Sequence, residues 1–126
     1  MLKTKSVHSP ISRADGLRIL AARYRGRGLP SSRYHVWMAS LGPSEQLLAS
    51  VDTIGWAELT RRYRAEIAES PEIDRGNRTI KNHGQKWTLR LLQELARRGN
   101  VTIMCHCAED QMQCHRHVLK KLIEAA

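Results

Sequence analysis

The chain has 126 residues, of which 41% are hydrophobic and 26% charged, and its formal net charge is +9. This length fits one domain, because a second hydrophobic core would need roughly 50 to 100 further residues. The composition is typical of a packed globular protein and excludes a disordered chain. No apolar run approaches the roughly 18 residues of a membrane span, and residues 1–10 lack the apolar segment of a signal peptide. We therefore expect a single domain over residues 1–126, located in the cytoplasm and without a membrane partner.

The positive charge is concentrated in two parts of the sequence. The first 33 residues carry eight basic side chains against one acidic side chain, Asp15. A second basic stretch runs from Arg75 to Arg90. Clustered cations attract anions, so a small anionic ligand and nucleic acid are the two classes of partner that the charge favours.

The first half of the chain contains three predicted strands and the start of a helix. Glycine and proline between the apolar runs mark the connecting loops. Ser44 is the predicted N-cap of the helix, ahead of Leu47 and Leu48. The predicted strands are Lys3 to Val7, Leu17 to Arg23, and Tyr34 to Met38.

The second half alternates helix and strand. An amphipathic helix is predicted from Trp56 to Ile67, followed by an irregular connection over Ser70 to His83. A second helix, from Gln85 to Arg98, is expected to end at a Gly-Asn turn, and an apolar strand follows from Val101 to Cys105. The second helix is expected to bury Trp87, Leu91, Leu92 and Leu95, and a final helix is defined by Val118, Leu119, Leu122 and Ile123.

The strand from Val101 to Cys105 indicates the fold class. Its side chains are apolar on both faces, which is typical of a parallel strand covered by helices on each side. We therefore predict a compact α/β domain with a mainly parallel central sheet flanked by helices. Because the chain has no phenylalanine, we expect its aromatic core to come from Tyr24, Tyr34, Trp37, Trp56, Tyr63 and Trp87.

Three cysteines, Cys105, Cys107 and Cys114, lie within ten residues of one another. An odd number of cysteines in a protein that is not exported argues against a disulfide framework, so we expect free thiols. The segment joins the end of a strand to the start of a helix, where ligands bind in open α/β sheets. A helix N-terminus lowers the pKa of a thiol, so Cys114 and Cys107 are the candidate catalytic residues. Cys105, on a buried strand, is expected to be a small structural hydrophobe.

The same loop carries candidate ligand-binding residues. Arg116 lies in the first turn of the final helix, where free backbone N–H groups and a guanidinium together suit a phosphate, sulfate or carboxylate. His115 shares a helical stripe with Leu119 and is expected to face inward, whereas His117 is expected to face solvent. If the strands from Leu17 and Val101 are parallel, their loops share one edge of the sheet. The ligand-binding set would then comprise Arg23, Arg27, His115 and Arg116, opposite Cys107 and Cys114.

The sequence does not match the spacing of several well-known functional motifs. A protein tyrosine phosphatase loop needs an arginine at a fixed distance after its cysteine, and Gln111, Gln113 and Lys120 stand at those positions. A thioredoxin-type motif needs two cysteines separated by two residues, which the chain lacks. Cys-x-Cys followed by Cys-His-x-His is not a standard zinc spacing, so no metal site is assigned, and a zinc-stabilised protein stays an alternative. No Walker loop or dinucleotide fingerprint is present, so these motifs identify no cofactor and its identity stays open.

With these residues identified, the chain resembles a bacterial and archaeal family called domain of unknown function 488 (DUF488). Cysteine followed by His-Arg, here Cys114-His115-Arg116, recurs in the cysteine-bearing branch of that family. Where members often have an acidic residue followed by tryptophan and proline, this chain has Ala22, Arg25 and Gly26. The resemblance implies a compact α/β fold with a parallel sheet, and it implies no reaction. It is carried by Arg18-Ile19-Leu20 running into Arg23 and Arg27-Gly28, by Trp37 with Leu41, Pro43 and Ser44, by Trp56 to Glu66, and by Val101 to Leu119.

Three functional hypotheses remain open from the sequence. The leading one is an α/β domain that binds a small anionic or phosphorylated ligand at the Cys/His/Arg loop, with catalysis left open. The second is a nucleic-acid-binding module that uses the two basic stretches, with structural cysteines. The third is a zinc-stabilised structural protein.

Overall fold

The computed structural model describes residues 1–68 and 85–126, and its strands form a single sheet. The strand order is β1-β4-β2-β3, and every neighbouring pair is parallel. This confirms the predicted α/β class with a parallel central sheet. The strands are β1, Leu2–Ser6; β2, Leu17–Leu20; β3, Val36–Trp37; and β4, Val101–Cys105.

Four α-helices accompany the sheet in the described ranges. The hydroxyl of Ser44 accepts the backbone N–H of Leu47, which confirms the predicted N-cap. None of the described helices is long and apolar enough to cross a membrane. The irregular connection predicted over Ser70 to His83 lies entirely outside the described residues. The helices are α1, Glu45–Ala49; α2, Trp56–Ala68; α3, Lys86–Arg98; and α4, His115–Glu124.

Strand β4 lies in the centre of the sheet, between β1 and β2, and all five of its residues are buried. Its alternate side chains enter different apolar clusters on the two faces. Ile103 packs in the larger cluster with Leu119 of α4, whereas Met104 packs in the smaller cluster with Leu20 of β2. Both faces of β4 are covered, and this explains why the sequence of this strand is continuously apolar.

The predicted aromatic contribution to the core is found in part, because Tyr63 is buried and Trp56 and Tyr34 pack against the apolar clusters. Among the described residues, Tyr63 is the one fully buried tyrosine or tryptophan, and it packs in the larger apolar cluster. Tyr24, Trp37 and Trp87 are all exposed. The sheet and the four helices enclose a narrow interior, and leucine, isoleucine and valine side chains fill most of it.

Helix α3 buries a different face from the one predicted. Its buried residues are Leu89 and Leu92, whereas Trp87, Leu91 and Leu95 are exposed. The helix carries two apolar stripes at helical spacing, and the sequence pattern alone does not say which stripe faces the sheet. Of the four residues predicted to be buried, only Leu92 is buried.

Candidate functional site

The strand ends bring the three cysteine sulfurs together. Because β1, β2 and β4 are parallel, their carboxyl ends meet at one edge of the sheet. Cys105 ends β4, Cys107 follows two residues later, and Cys114 immediately precedes α4. The three Sγ atoms lie within 4.8 Å of one another. Those of Cys105 and Cys114 are 2.9 Å apart, within hydrogen-bond distance.

The three thiols differ in exposure and in proton affinity. Cys105 and Cys114 are buried, whereas Cys107 is partly exposed. Hydrogen bonds from Cys105 and Cys114 lower the pKa of Cys107 to about 2, and the positive charge of Arg116 acts in the same direction. Cys107 is therefore a thiolate at neutral pH.

The other two cysteines remain protonated at neutral pH. The hydrogen bond to Cys107 and burial raise the pKa of Cys105. Hydrogen bonds with Cys105 and Cys107, together with burial, raise the pKa of Cys114 strongly. The lowered pKa predicted for Cys114 is therefore wrong. Two adjacent sulfurs and an apolar environment outweigh the attraction of the helix N-terminus for a thiolate.

The guanidinium of Arg116 is completely buried beneath this cluster. It donates to Cys105 Sγ at 3.0 Å and to the main-chain carbonyls of Cys107, Ala108 and Glu109 at 3.2, 2.9 and 2.9 Å. Burial alone would lower the pKa of Arg116, but the hydrogen bond to Cys105 raises it, so the side chain stays charged. The arginine expected to receive an anion therefore uses these donors to hold the loop after β4.

Glu109 connects the same loop to β1. One carboxylate oxygen lies 3.9 Å from Arg116, and the other accepts the Ser9 hydroxyl at 2.6 Å and the Ser6 backbone N–H at 3.2 Å. Burial opposes ionisation of Glu109, but these hydrogen bonds outweigh it and lower the pKa of the carboxyl group. The sequence analysis did not single out Glu109, because a lone acidic residue in a polar loop gives no signal of its partners.

His115 faces inward, as expected. Its Nε2 atom contacts the Ala21 carbonyl, and its ring lies edge-on to Tyr63 with 5.5 Å between centroids. Burial lowers the pKa of His115, so the ring is neutral at neutral pH. A carbonyl oxygen only accepts hydrogen bonds, so Nε2 carries the proton and Nδ1 holds a free lone pair. Nδ1 lies 4.0 Å from the Sγ atom of Cys114.

The loop after β2 lies against the loop after β4. The Nε2 atom of His106 is 3.0 Å from the Tyr24 carbonyl oxygen. Gly26 has a φ of +93°, and a Cβ atom there would come within 2.7 Å of the His106 ring. Glycine thus permits a close approach that a side chain would prevent. Arg27 follows Gly26 directly in this loop, and its side chain is exposed.

Arg23 has a different environment from Arg27. Its guanidinium donates to the carbonyls of Gly42 at 3.1 Å and Pro43 at 3.1 Å, which joins two loops within the chain. Three further arginines of the first basic stretch also donate to main-chain carbonyls: Arg18, Arg25 and Arg33. Much of this basic stretch therefore has a structural role. Most of the second basic stretch, including Arg75, Arg78 and Lys81, lies outside the described residues.

The fold and the sulfur cluster together define a small parallel α/β protein with a thiol site at the carboxyl edge of its sheet. The family model for the active DUF488-N3 subclade matches residues 2–126. The chain therefore belongs to the DUF488 family. Neither a curated protein nor a solved structure matches it.

The lowered pKa of Cys107 predicts an unusual pH profile for alkylation by iodoacetamide. A thiolate that persists to low pH reacts at a nearly constant rate from about pH 9 down to about pH 5, whereas an ordinary thiol slows about tenfold per pH unit below its pKa. Stopped-flow alkylation followed by peptide mass spectrometry measures this rate at Cys107. Urea-unfolded protein is the control, and it should follow the ordinary profile. A tenfold loss per pH unit in the folded protein would contradict the assignment.

Proposed function

We propose that the protein is a thiol-dependent enzyme that acts on a small anionic electrophile, with Cys107 as the nucleophile. The observation that carries the proposal is the cluster of three sulfurs above the buried guanidinium of Arg116. A buried positive charge requires a compensating negative charge nearby. The carboxylate of Glu109 is 3.9 Å away but 54% exposed, and the sulfur cluster, which Arg116 contacts through Cys105 Sγ at 3.0 Å, supplies a second negative charge.

The exposure of the three cysteines supports a division of roles. Cys107 is partly exposed and ionised, so its sulfur can attack an electrophile from solvent. Cys114 is buried and protonated, which suits a second, resolving thiol. The lone pair of His115 Nδ1, 4.0 Å from Cys114 Sγ, is the base that would remove its proton.

The balanced reaction with a disulfide electrophile has two steps. The Cys107 thiolate attacks one sulfur, forms a mixed disulfide, and releases the other half of the substrate as a thiolate that carries the bonding electron pair. Cys114, losing its proton to His115, then attacks the Cys107 sulfur and releases the remaining half. The protein ends as a disulfide, and the substrate is reduced to two thiols.

The charge around Cys107 supports an anionic substrate. Arg116 lies below the cluster, and the exposed Arg27 follows Gly26, which contacts His106. Cys107 also precedes the N-terminus of α4, whose backbone dipoles favour negative charge. Nucleic acid has weaker support, because Arg18, Arg23 and Arg33 donate to main-chain carbonyls.

An anionic aryl disulfide, dithiobis(nitrobenzoate), and the neutral dithiodipyridine together test the proposal. The wild-type protein should release two aryl thiolates per chain, because Cys114 resolves the mixed disulfide, whereas Cys114→Ala should release its second thiolate at least about tenfold more slowly. Arg27→Gln should slow the anionic reagent about threefold or more and leave the neutral reagent unchanged. Absorbance of the released thiolate measures both rates.

Cys107→Ser is the decisive variant for this experiment. Replacing the sulfur by oxygen removes the thiolate with little change in volume, and the rapid first release should disappear. Arg13→Gln is the matched control for Arg27→Gln, because Arg13 is exposed and lies outside the cysteine loop. Rapid release from Cys107→Ser would overturn the assignment of the nucleophile. Equal slowing of both reagents in Arg27→Gln would overturn the anionic preference.

A second candidate function is zinc binding, which one specific arrangement favours. Three sulfurs within 4.8 Å of one another could enclose a zinc ion at ~2.3 Å from each. His115 offers Nδ1 as a fourth ligand, and its Nε2–H group contacts the Ala21 carbonyl, as metal-binding histidines commonly do. Arg116 would compensate the net negative charge of three thiolates and a histidine around the ion.

Measuring the zinc content of the protein purified without a histidine tag distinguishes the thiol-dependent enzyme from the zinc-binding protein. The thiol enzyme predicts less than about 0.1 zinc per chain and full reactivity of Cys107 without a chelator. One tightly bound zinc per chain, lost together with stability in the Cys105→Ser variant, would support the zinc site and contradict a free nucleophile.

A further inference from the structure

A cleft between α2 and α4 lies apart from the cysteine cluster. It has a volume of about 390 Å³, within the range of roughly 300 to 1,000 Å³ that small-molecule sites occupy. Trp56, Thr60 and Arg64 form one wall, since residues four apart lie on the same face of a helix. His117 and Lys121 of α4 form the opposite wall at the same spacing. None of the three cysteines lines this cleft.

The charge of this cleft is positive. Arg64, Lys120 and Lys121 line it, and the one carboxylate among its lining residues belongs to Glu124. That carboxylate pairs with Lys120 at 2.9 Å, so its charge is compensated within α4. Because Arg64 and Lys121 remain in excess, the cleft attracts an anion.

The rest of the lining combines apolar side chains with the polar residues Thr60 and His117. Trp56 and Val118 contribute apolar surface, and Met112 at the rim is 74% exposed. The Oγ1 atom of Thr60 is buried and has no hydrogen-bond partner within the described part of the chain. This atom has almost no solvent-accessible surface, so the cleft offers a ligand its cationic and apolar side chains rather than this hydroxyl.

We propose that the cleft between α2 and α4 binds a small organic anion with a flat apolar part and a phosphate, sulfate or carboxylate end. The flat part packs on Trp56 and Val118, and the anionic end meets Arg64 and Lys121. This site is independent of the chemistry proposed for Cys107, because the two sites share no residue.

Nuclear magnetic resonance of the isotope-labelled protein tests the site, with naphthyl phosphate, inorganic phosphate and naphthol as probes. Naphthyl phosphate should shift the backbone amides of residues 56–64 and 117–121 saturably. It should bind at least about tenfold more tightly than either fragment, because only the whole probe satisfies both walls. Binding by naphthol alone with equal affinity, or shifts centred on the exposed Trp87 of α3, would overturn the proposal.

Matched variants make the test specific. Lys121→Glu should weaken naphthyl phosphate at least about fivefold, because it reverses an exposed charge at the cleft. Arg13→Glu changes the charge equally at an exposed position outside the cleft and should leave the affinity unchanged. Equal affinity in Lys121→Glu and Arg13→Glu would overturn the proposal, and Cys107→Ser should bind the probe like wild type.

Discussion

The buried guanidinium of Arg116 is the interaction on which the rest of the site depends. It joins the end of β4 to the first turn of α4 by donating to a sulfur and to three consecutive main-chain carbonyls. Such a charge is costly to bury unless hydrogen bonds and a counter-charge compensate it. The conformation of the loop therefore depends on this buried cation, and the ionisation of Cys107 depends first on hydrogen bonds from Cys105 and Cys114 and then on the positive charge of Arg116.

This arrangement explains why the three cysteines differ although they share one cluster. Coupled titrating groups release their protons as a set, and here the cluster holds one negative charge near neutral pH. The charge resides on Cys107, which is partly exposed and receives hydrogen bonds from the two buried thiols. Glu109 adds a connection from the loop to Ser6 and Ser9, so the conformation that positions Cys107 is anchored to both β4 and β1.

Much of the fold could be predicted from the sequence. The continuous apolar run from Val101 to Cys105 indicated a central parallel strand, and Ser44 and the periodicity after Trp56 located two helix starts. These features are local, so a short window of sequence contains them. Helix α3 is different, because its two apolar stripes, one through Leu89 and Leu92 and the other through Trp87 and Leu91, are distinguished only by tertiary packing.

The candidate site was predicted in its location but not in its electrostatics. The strand-to-helix loop was identified from the spacing of its cysteines, yet Arg116 was expected to receive a ligand. A signal was available, because Arg116 lies three and seven residues before Leu119 and Ile123 and so shares their buried stripe. The raised pKa of Cys114 could not be predicted, since it results from sulfur contacts made only in the folded chain.

The most direct test of the central claim is a count of thiolates by ultraviolet absorbance in the folded, metal-free protein. At about pH 6, where ordinary thiols are protonated, the account predicts one thiolate per chain in wild type and none in Cys107→Ser. An Arg116→Met variant that folds should show the same thiolate only at higher pH. A wild-type protein with no thiolate at this pH, or an Arg116→Met variant with an unchanged titration, would contradict the account.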